Sequence, residues 1–179
     1  EGTTMTAIVI ARPGSDEYAP YYGTYIGKVP DGDLRSMLSS QLARTLALIR
    51  SIPESRGGHR YAPEKWSIRE VLGHLADSER IFSYRALRIA RGDATPLPGF
   101  EQNDYVPTGG FDARTLGDLA DELSAIRQAT IHLFTHLDQA ALERRGTASG
   151  KSVSVRALAY IIAGHELHHV GILKTRYLS

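Results

Sequence analysis

Two histidines near the end of the sequence constrain this chain more than any other feature. His165 and His169 continue an apolar pattern with steps of three and four, which is one face of a helix. The apolar members of that face are Val155, Leu158, Ile162 and Ile172. Burying an unpaired polar group costs about 2–7 kcal/mol, so two imidazoles on this face need a shared partner. Because His nitrogens at i and i+4 can bind one divalent ion, the spacing predicts a metal site. Two hydrogen-bonded core histidines, or a face open to solvent, are the alternatives.

A third ligand is expected from another helix. A catalytic site of the zinc type uses three protein ligands and leaves one position open, and only ten residues follow His169. His74 lies on an apolar helical face between Val71 and Ser78, where an imidazole again needs a partner. We therefore predict that His74, His165 and His169 bind one divalent metal ion.

The remaining histidines are weaker candidates for ligands. His132 and His136 are also four residues apart, but they lie about 100° from the apolar stripe of their helix, by helical geometry. His59 belongs to a glycine-rich loop. His168 neighbours the buried face and is a candidate for a supporting contact to a ligand.

The string from His165 to His169 reads HELHH and matches the H-E-x-x-H motif of zinc proteases, in which Glu166 would be the general base. The rest of the sequence does not support a protease. The extended motif is absent, too few residues follow for a downstream glutamate ligand, and no strand is predicted to bind a peptide substrate.

Four segments with apolar residues at helical spacing predict an all-α fold, an up-and-down type four-helix bundle. Ser67 and Glu70 form a capping box at the start of the second segment. No segment alternates convincingly enough to predict a strand. The helices are predicted from after Asp33 to Pro53, from Ser67 to about Arg91, from near Thr115 to Leu137, and from Ser152 or Ser154 to about Tyr177.

The sequence divides into an arm and a bundle. Residues 1–32 are rich in proline, glycine and tyrosine and are predicted to form an extended N-terminal arm, with at most a short helical turn, packed by its aromatic side chains. Residues 33–179 are predicted to form the bundle. Residues 1–4 precede Met5 and are interpreted as a remnant foreign to the natural chain. A long loop over 95–112 is expected to cap a pocket.

Composition excludes several classes of function. A chain of 179 residues with a net charge of +1 is large enough for one domain and offers no charge excess for nucleic acid or an acidic membrane surface. Without cysteine it has no disulfide, no thiolate zinc site and no thiol nucleophile. No apolar run approaches the roughly 20 residues of a membrane span, and Thr6–Ala11 lacks the features of a signal peptide. We expect a cytoplasmic protein that binds neither nucleic acid nor membrane.

Acidic and basic side chains near the predicted ligands suggest further roles. Asp77 and Glu70 lie three and four residues from His74, so either could accept the second N–H of its ring. Glu166, Asp77 and Tyr105 are the candidates for proton transfer, and the sequence does not choose among them. Arg80, Arg85, Arg88 and Arg91 crowd the second helix. They are interpreted as a solvated face; alternatively, one of them binds an anionic substrate at the rim of the pocket.

Three motifs in order resemble the DinB/YfiT-like family, a damage-inducible family of four-helix proteins. They are KWSIREVLGHLADSER at 65–80, LPGFE at 97–101 and GHELHH at 164–169. The resemblance covers roughly 33–177 and says little about the arm. It implies a four-helix bundle with a metal, often nickel or zinc, held by three histidines that map onto His74, His165 and His169. The usual family label is metal-dependent hydrolase, and some members are instead thiol S-transferases or isomerases that use bacillithiol or mycothiol.

The sequence thus favours a metal-dependent hydrolase in which a bound metal activates water on a small-molecule substrate. One alternative is a metal-dependent S-transferase that uses a low-molecular-weight thiol. The other is a non-catalytic, stress-related protein that only binds metal. A homodimer formed through an exposed apolar helix face is also expected. The sequence identifies neither the substrate nor the metal.

Overall fold

The structure is a computed structural model that describes residues 8–179, and these are mainly helical. Its helices are α1 (Gly23–Ile26), α2 (Leu34–Ser51), α3 (Ile68–Ala90), α4 (Gln102–Thr108), α5 (Leu116–Thr135), α6 (Gln139–Glu143) and α7 (Val155–Ile172). Two strands, β1 (Arg145–Ala148) and β2 (Lys151–Ser154), pair antiparallel. Helix α7 continues into a wider π-helical turn over Leu173–Tyr177. Within 8–179, no helix combines the length and apolar character that a membrane crossing demands.

Side-chain caps explain why the four long helices begin where the sequence predicts. The carboxylate of Asp33 accepts from Ser36 N at 3.1 Å at the start of α2. The capping box of α3 is formed, with Ser67 and Glu70 each accepting the other's backbone N–H. The side chains of Thr115 and Ser154 cap α5 and α7 in the same way. These caps satisfy N–H groups that have no partner within a helix.

Two apolar clusters fill the bundle, and a buried polar layer separates them. The arm-side cluster includes Leu34, Phe82, Phe134 and Leu158, while the C-terminal cluster includes Ile49, Leu72, Leu123 and Leu173. The polar layer consists of Gln41, Thr45, His74, Ser78, Glu79, Arg127, Thr130, His165 and Glu166. Every long helix crosses this layer about halfway along its length, so His74 and His165 lie at the centre of the bundle.

The cluster that each long helix contacts at its N-terminal end shows the direction in which that helix runs. Helices α2 and α7 run from the arm-side cluster towards the C-terminal cluster, whereas α3 and α5 run the other way. The predicted all-α four-helix bundle is confirmed, but its long helices run up, down, down, up instead of alternating as the predicted up-and-down type does. Because α3 and α5 are neighbours that run in parallel, the chain between them has to return along the whole bundle, which explains the long connection over 91–115.

That connection is more ordered than the sequence suggests. We expected a structureless loop over 95–112, but it contains α4, whose first turn is capped by Glu101 through Asn103 N at 2.9 Å. Leu97 exchanges backbone hydrogen bonds with Thr147 and Ser149 of the hairpin, at 2.9 and 3.0 Å. The connection is therefore fixed at both of these points beside α3.

The hairpin itself corrects the expectation that the chain has no strand. Its strands are four residues each, too short for a clear alternation of apolar and polar positions. The two residues of its turn, Ser149 and Gly150, have φ of 51° and 72°, which is the pattern of a tight hairpin turn with two left-handed residues. In the sequence, the Ser-Gly pair is the signal that could have indicated this turn.

The arm over 8–32 packs on the bundle through buried polar contacts. Within the arm, Arg12 donates to Ile26 O at 3.0 Å. The buried carboxylate of Glu17 accepts from Ser154 Oγ at 2.7 Å and from Arg156 Nε at 2.8 Å. The arm is more helical than expected, because two 3₁₀ turns precede α1. The interpretation of residues 1–4 as a remnant lies outside the described residues.

Glu17 makes arm attachment depend on pH. The hydrogen bond from Arg156 is the largest effect, and it lowers the pKa of Glu17 from 4.5 to about 2 despite burial. A lowered carboxyl pKa stabilises the folded state above pH 4.5, and this contribution is lost as the pH falls towards 2. We expect Glu17→Gln to lower the free energy of unfolding by about 2–3 kcal/mol at pH 7, in urea titrations, and by progressively less below pH 4.5.

Glu143→Gln is the matched control, because Glu143 contacts the same Arg156 at 3.9 Å but is half exposed. It should change stability by less than about 0.5 kcal/mol at either pH. A Glu17→Gln deficit that stays constant from pH 7 to pH 3 would show that the charge of Glu17 is not what attaches the arm.

Candidate metal centre

Three imidazoles from two helices converge in the polar layer. His74 lies on α3, and His165 and His169 lie one turn apart on α7. The Nε2 atoms of His74 and His165 are 3.1 Å apart, and one ring nitrogen from each of the three residues lies within 4.8 Å of the other two. The tight packing of α3 against α7 brings these rings together. The structure thus places all three predicted ligands in one cluster.

Burial keeps the three rings neutral. His74 is 3% exposed and His165 is 6% exposed, and His169 is less deeply buried. Loss of hydration lowers the pKa of His74 from 6.5 to about 4 and that of His169 to about 3. The pKa of His165 falls well below its usual value, first through burial and then through the neighbouring histidines. At neutral pH the cluster therefore presents lone pairs and no positive charge.

The donor set fits a divalent ion. Two nitrogens on one tetrahedral ion, at bond lengths of about 2.0–2.1 Å, lie roughly 3.3 Å apart, close to the 3.1 Å between His74 and His165. Each neutral imidazole has only one N–H, and the ring of His169 has no hydrogen-bond partner among residues 8–179. Three neutral nitrogen donors with so few protein partners are suited to an ion of the zinc or nickel type.

The groups that support the rings differ from those expected. Ser78 Oγ lies 3.4 Å from His74 Nδ1, on the same helix one turn later, and the Trp66 ring lies 4.8 Å from that of His74. Glu70 instead completes its capping box and pairs with Arg60 at 2.6 Å. The hydroxyl of Ser78, rather than a carboxylate, is the polar group beside His74.

One cavity borders the cluster at His165 and another borders it at His169. The first, of about 290 Å³, is bordered by His165, Ser78 and Phe82, and by Tyr21, Tyr22 and Tyr25 of the arm. The second, of about 210 Å³, is bordered by His169, Trp66 and Tyr177. Asn103 of α4 lines both. The ring of Tyr25 packs edge-on against His165 at 5.3 Å between centroids, and burial raises the pKa of its hydroxyl.

Glu166 points away from the imidazoles, so its expected role in proton transfer does not fit the geometry. Its carboxylate accepts from Thr45 Oγ1 at 2.6 Å and lies 2.7 Å from Arg127. Arg127 is 1% exposed and also forms a two-point ion pair with Glu79 at 2.8 and 2.9 Å. Burial alone would lower the pKa of Arg127, but the two carboxylates raise it. Glu166 therefore belongs to a buried ion-pair network. Its carboxylate helps to neutralise Arg127, whose buried guanidinium would be strongly destabilising without a partner of opposite charge.

The other two candidates for proton transfer also lie away from the cluster. Burial raises the pKa of Asp77, and its charged neighbours are Arg80, Glu122 and Arg114, on the side of α3 that faces α5. Tyr105 is 44% exposed, packs on Phe100, and borders neither cavity. The expectation for Asp77 came from its closeness in sequence to His74, which does not determine the helix face. Tyr105 was expected near the site because it belongs to the connection predicted to cap the pocket.

Three of the remaining histidines lie at the surface, as the sequence predicts. His132 and His136 are exposed and stack on each other, and His59 is exposed. His168 lies beside the cluster, with its ring 5.0 Å from that of His169.

Sequence reasoning missed several residues that border the cavities. The arm tyrosines had a visible signal, since four tyrosines lie within 18–25, but nothing in the sequence connects them with His165. Ser149 and Asn103 depend on the hairpin and on α4, neither of which was predicted.

Fold and site together define a four-helix bundle with three converging histidines at its centre. The model of the DinB superfamily matches residues 37–173, and the chain belongs to this family. The match excludes the arm that supplies the tyrosines of the first cavity.

Relatives of known name or structure agree with this assignment. A protein of Oceanobacillus iheyensis, named "putative metal-dependent hydrolase", is 25% identical over 130 residues, covering 70% of this chain and 73% of that protein. YfiT from Bacillus subtilis, described as a probable metal-dependent hydrolase with an unusual four-helix bundle topology, superposes with a TM-score of 0.71 at 14% identity, over 88% of this chain and 90% of that one. A mycothiol-dependent maleylpyruvate isomerase superposes with a TM-score of 0.66 at 13% identity, over 81% of this chain but 61% of the isomerase.

The wall that the arm gives to the first cavity depends on Gly164. A Cβ at this position of α7 would collide with the carbonyl oxygen of Tyr25. We expect Gly164→Ala to push α1 off α7 and to lower the free energy of unfolding by about 1–3 kcal/mol, measured in urea, and to speed proteolysis after Lys28.

Gly171→Ala is the matched control, because Gly171 lies on the same helix with no atom within 4 Å of an added Cβ. It should be neutral or stabilising by up to about 1 kcal/mol, as for alanine replacing glycine in a helix. Equal stability of the two variants would contradict close packing of the arm against α7.

Proposed function

We propose that this protein is a metal-dependent hydrolase of small molecules. The observation that supports it most is the group of three neutral imidazoles beside a cavity of about 290 Å³. Three protein ligands with an adjacent cavity are typical of catalytic sites, whereas structural sites of this type have four protein ligands. The names of the relatives agree with this reaction class.

In this proposal His74, His165 and His169 hold the ion. A bound divalent ion supplies Lewis acidity, which lowers the pKa of a coordinated water or thiol towards neutrality. The aromatic walls exclude bulk water and bind the body of the substrate, and Ser78 orients the ring of His74. Nickel and zinc are the proposed metals, because neutral imidazole ligands suit both.

A thiol S-transferase is the second candidate. One cavity borders the cluster at His165 and another at His169, so a thiol and an electrophile would each have space near the same ion. The structural similarity to a mycothiol-dependent isomerase agrees with this arrangement.

Metal analysis of tag-free protein tests the site. We expect about one equivalent of nickel or zinc in the wild type and a loss of most of it in His165→Ala, because one of three ligands is removed. Zinc at 100 times its dissociation constant should stabilise the wild type by about 2.7 kcal/mol and the variant by much less. Retention of wild-type affinity in His165→Ala would contradict the assignment.

His132→Ala is the matched control, since His132 is exposed and remote from the cluster, and it should keep its metal. Activity assays on the metal-loaded protein then separate the functions. Hydrolysis of ester, anilide or epoxide probes that is lost in His165→Ala supports the hydrolase. Thiol-dependent release of chloride from 1-chloro-2,4-dinitrobenzene without hydrolysis supports the transferase, and inactivity in every assay supports a protein that only binds metal.

A further inference from the structure

Arg85 is a buried cation without a buried anion. It lies on α3 and is 3% exposed, yet no carboxylate among residues 8–179 lies within 4.0 Å of its guanidinium. Its hydrogen bonds go to neutral acceptors, Pro98 O at 2.9 Å and Ser149 Oγ at 3.1 Å. Two bonds leave most of the five N–H groups of the guanidinium without a protein acceptor in the described part of the chain.

The contrast with Arg127 shows how unusual this is. Arg127 is equally buried, and two carboxylates neutralise it. Taking an ion out of water carries a penalty of several kcal/mol unless an opposite charge compensates it. The groups around Arg85 are neutral: two hydrogen-bond acceptors and the ring of Phe100, whose centroid lies 5.7 Å from the guanidinium carbon. The site therefore lacks one negative charge that would balance the charge of Arg85.

Arg85 lies next to the first cavity. Ser149, which accepts from Arg85, lines that cavity, and so does Phe100, on which Arg85 stacks. A cleft of about 10 Å³ on the other side of Tyr22 is bordered by Arg85 and Lys151, and Tyr22 also lines the main cavity. Two cations thus flank the part of the wall formed by Tyr22 and Ser149.

The rest of the wall matches an apolar ligand body. Tyr21, Tyr22, Tyr25, Phe82 and Phe100 provide aromatic surface, and about 290 Å³ suits a single small ring with short substituents. Glu101 is the one carboxylate among the described lining residues, and it is held by Asn103 N at 2.9 Å. Repulsion by Glu101 would direct a negative group towards Arg85.

We propose that Arg85 is a substrate-binding residue that pairs with a carboxylate on a small aromatic or apolar substrate. Ser149 positions the guanidinium, and the bound carboxylate supplies the missing charge, while the opposite end of the ligand faces His165. This inference rests on the proposed function for the identity of the ligand as substrate. Of the four arginines on this helix that the sequence offered as binding an anionic substrate, the proposal assigns that role to Arg85. The substrate class is then small molecules that carry a carboxylate.

The test uses protein stripped of metal by chelation, so that a carboxylate cannot bind to an ion instead. Isothermal titration compares benzoate with benzamide, which has the same shape and no charge. We expect the wild type to bind benzoate about tenfold or more tightly than benzamide, as charge-assisted hydrogen bonds to a buried cation require. Arg85→Met should abolish the preference. Equal affinities in the wild type, or tighter binding of benzylamine, would overturn the proposal.

Arg88→Met is the matched control, because Arg88 is on the same helix but pairs with Asp93 at the surface; it should keep the preference. Arg85→Lys retains the charge, and we expect this variant to keep the fold. Its preference for benzoate over benzamide should fall several-fold, because an ammonium group lacks the planar guanidinium geometry that bonds to Ser149 and to a carboxylate. Circular dichroism checks both Arg85 variants. Should Arg85→Met not fold, Arg85→Lys decides alone, and an unchanged preference in it would overturn the proposal.

The outcome separates this inference from the proposed function. A benzoate preference that depends on Arg85 stands even if the histidines bind no metal, because the titration is done without metal. Conversely, a metal-loaded hydrolase that shows no benzoate preference would retain its reaction class and lose this substrate class.

Discussion

The polar layer across the middle of the bundle governs the rest of the structure, because each buried group in it has to be compensated where it lies. Arg127 is compensated by Glu79 and Glu166, which also tie α5 to α3 and α7. The three histidines are compensated differently: burial keeps them uncharged, and their lone pairs converge. Breaking the ion pairs would leave a buried charge, at a cost of about 3–5 kcal/mol, so the network fixes the helices that carry the ligands.

The arm and the long connection turn this layer into a site. Helix α1 lies on α7 at Gly164 and places Tyr25 against His165, while the hairpin and α4 place Ser149 and Asn103 at the edges of the cavities. The parallel course of α3 and α5 is what makes a connection of this length necessary, and the connection then supplies cavity walls.

The sequence predicted the features that depend on local periodicity. Caps at Ser67 and Thr115 and the three-four spacing located the four long helices. The cost of burying an unpaired imidazole was the reason to predict that His74 and His165 share one metal ion. The sequence did not predict features that depend on how helices lie side by side. The directions of α3 and α5, the face on which Asp77 lies, and the pairing of Glu166 with Arg127 are set by contacts between residues far apart in the chain. The strands of the hairpin are too short for an alternation of apolar and polar residues to be recognised in the sequence.

X-ray absorption spectroscopy of the metal-loaded protein tests the central claim most directly, since it counts the ligands of the ion without requiring a substrate. The account predicts three imidazole nitrogens at about 2.0–2.1 Å, with the remaining position or positions filled by oxygen from outside the protein. Fewer than three imidazoles, or a spectrum that changes when His132 and His136 are replaced but not when His74 is, would contradict it.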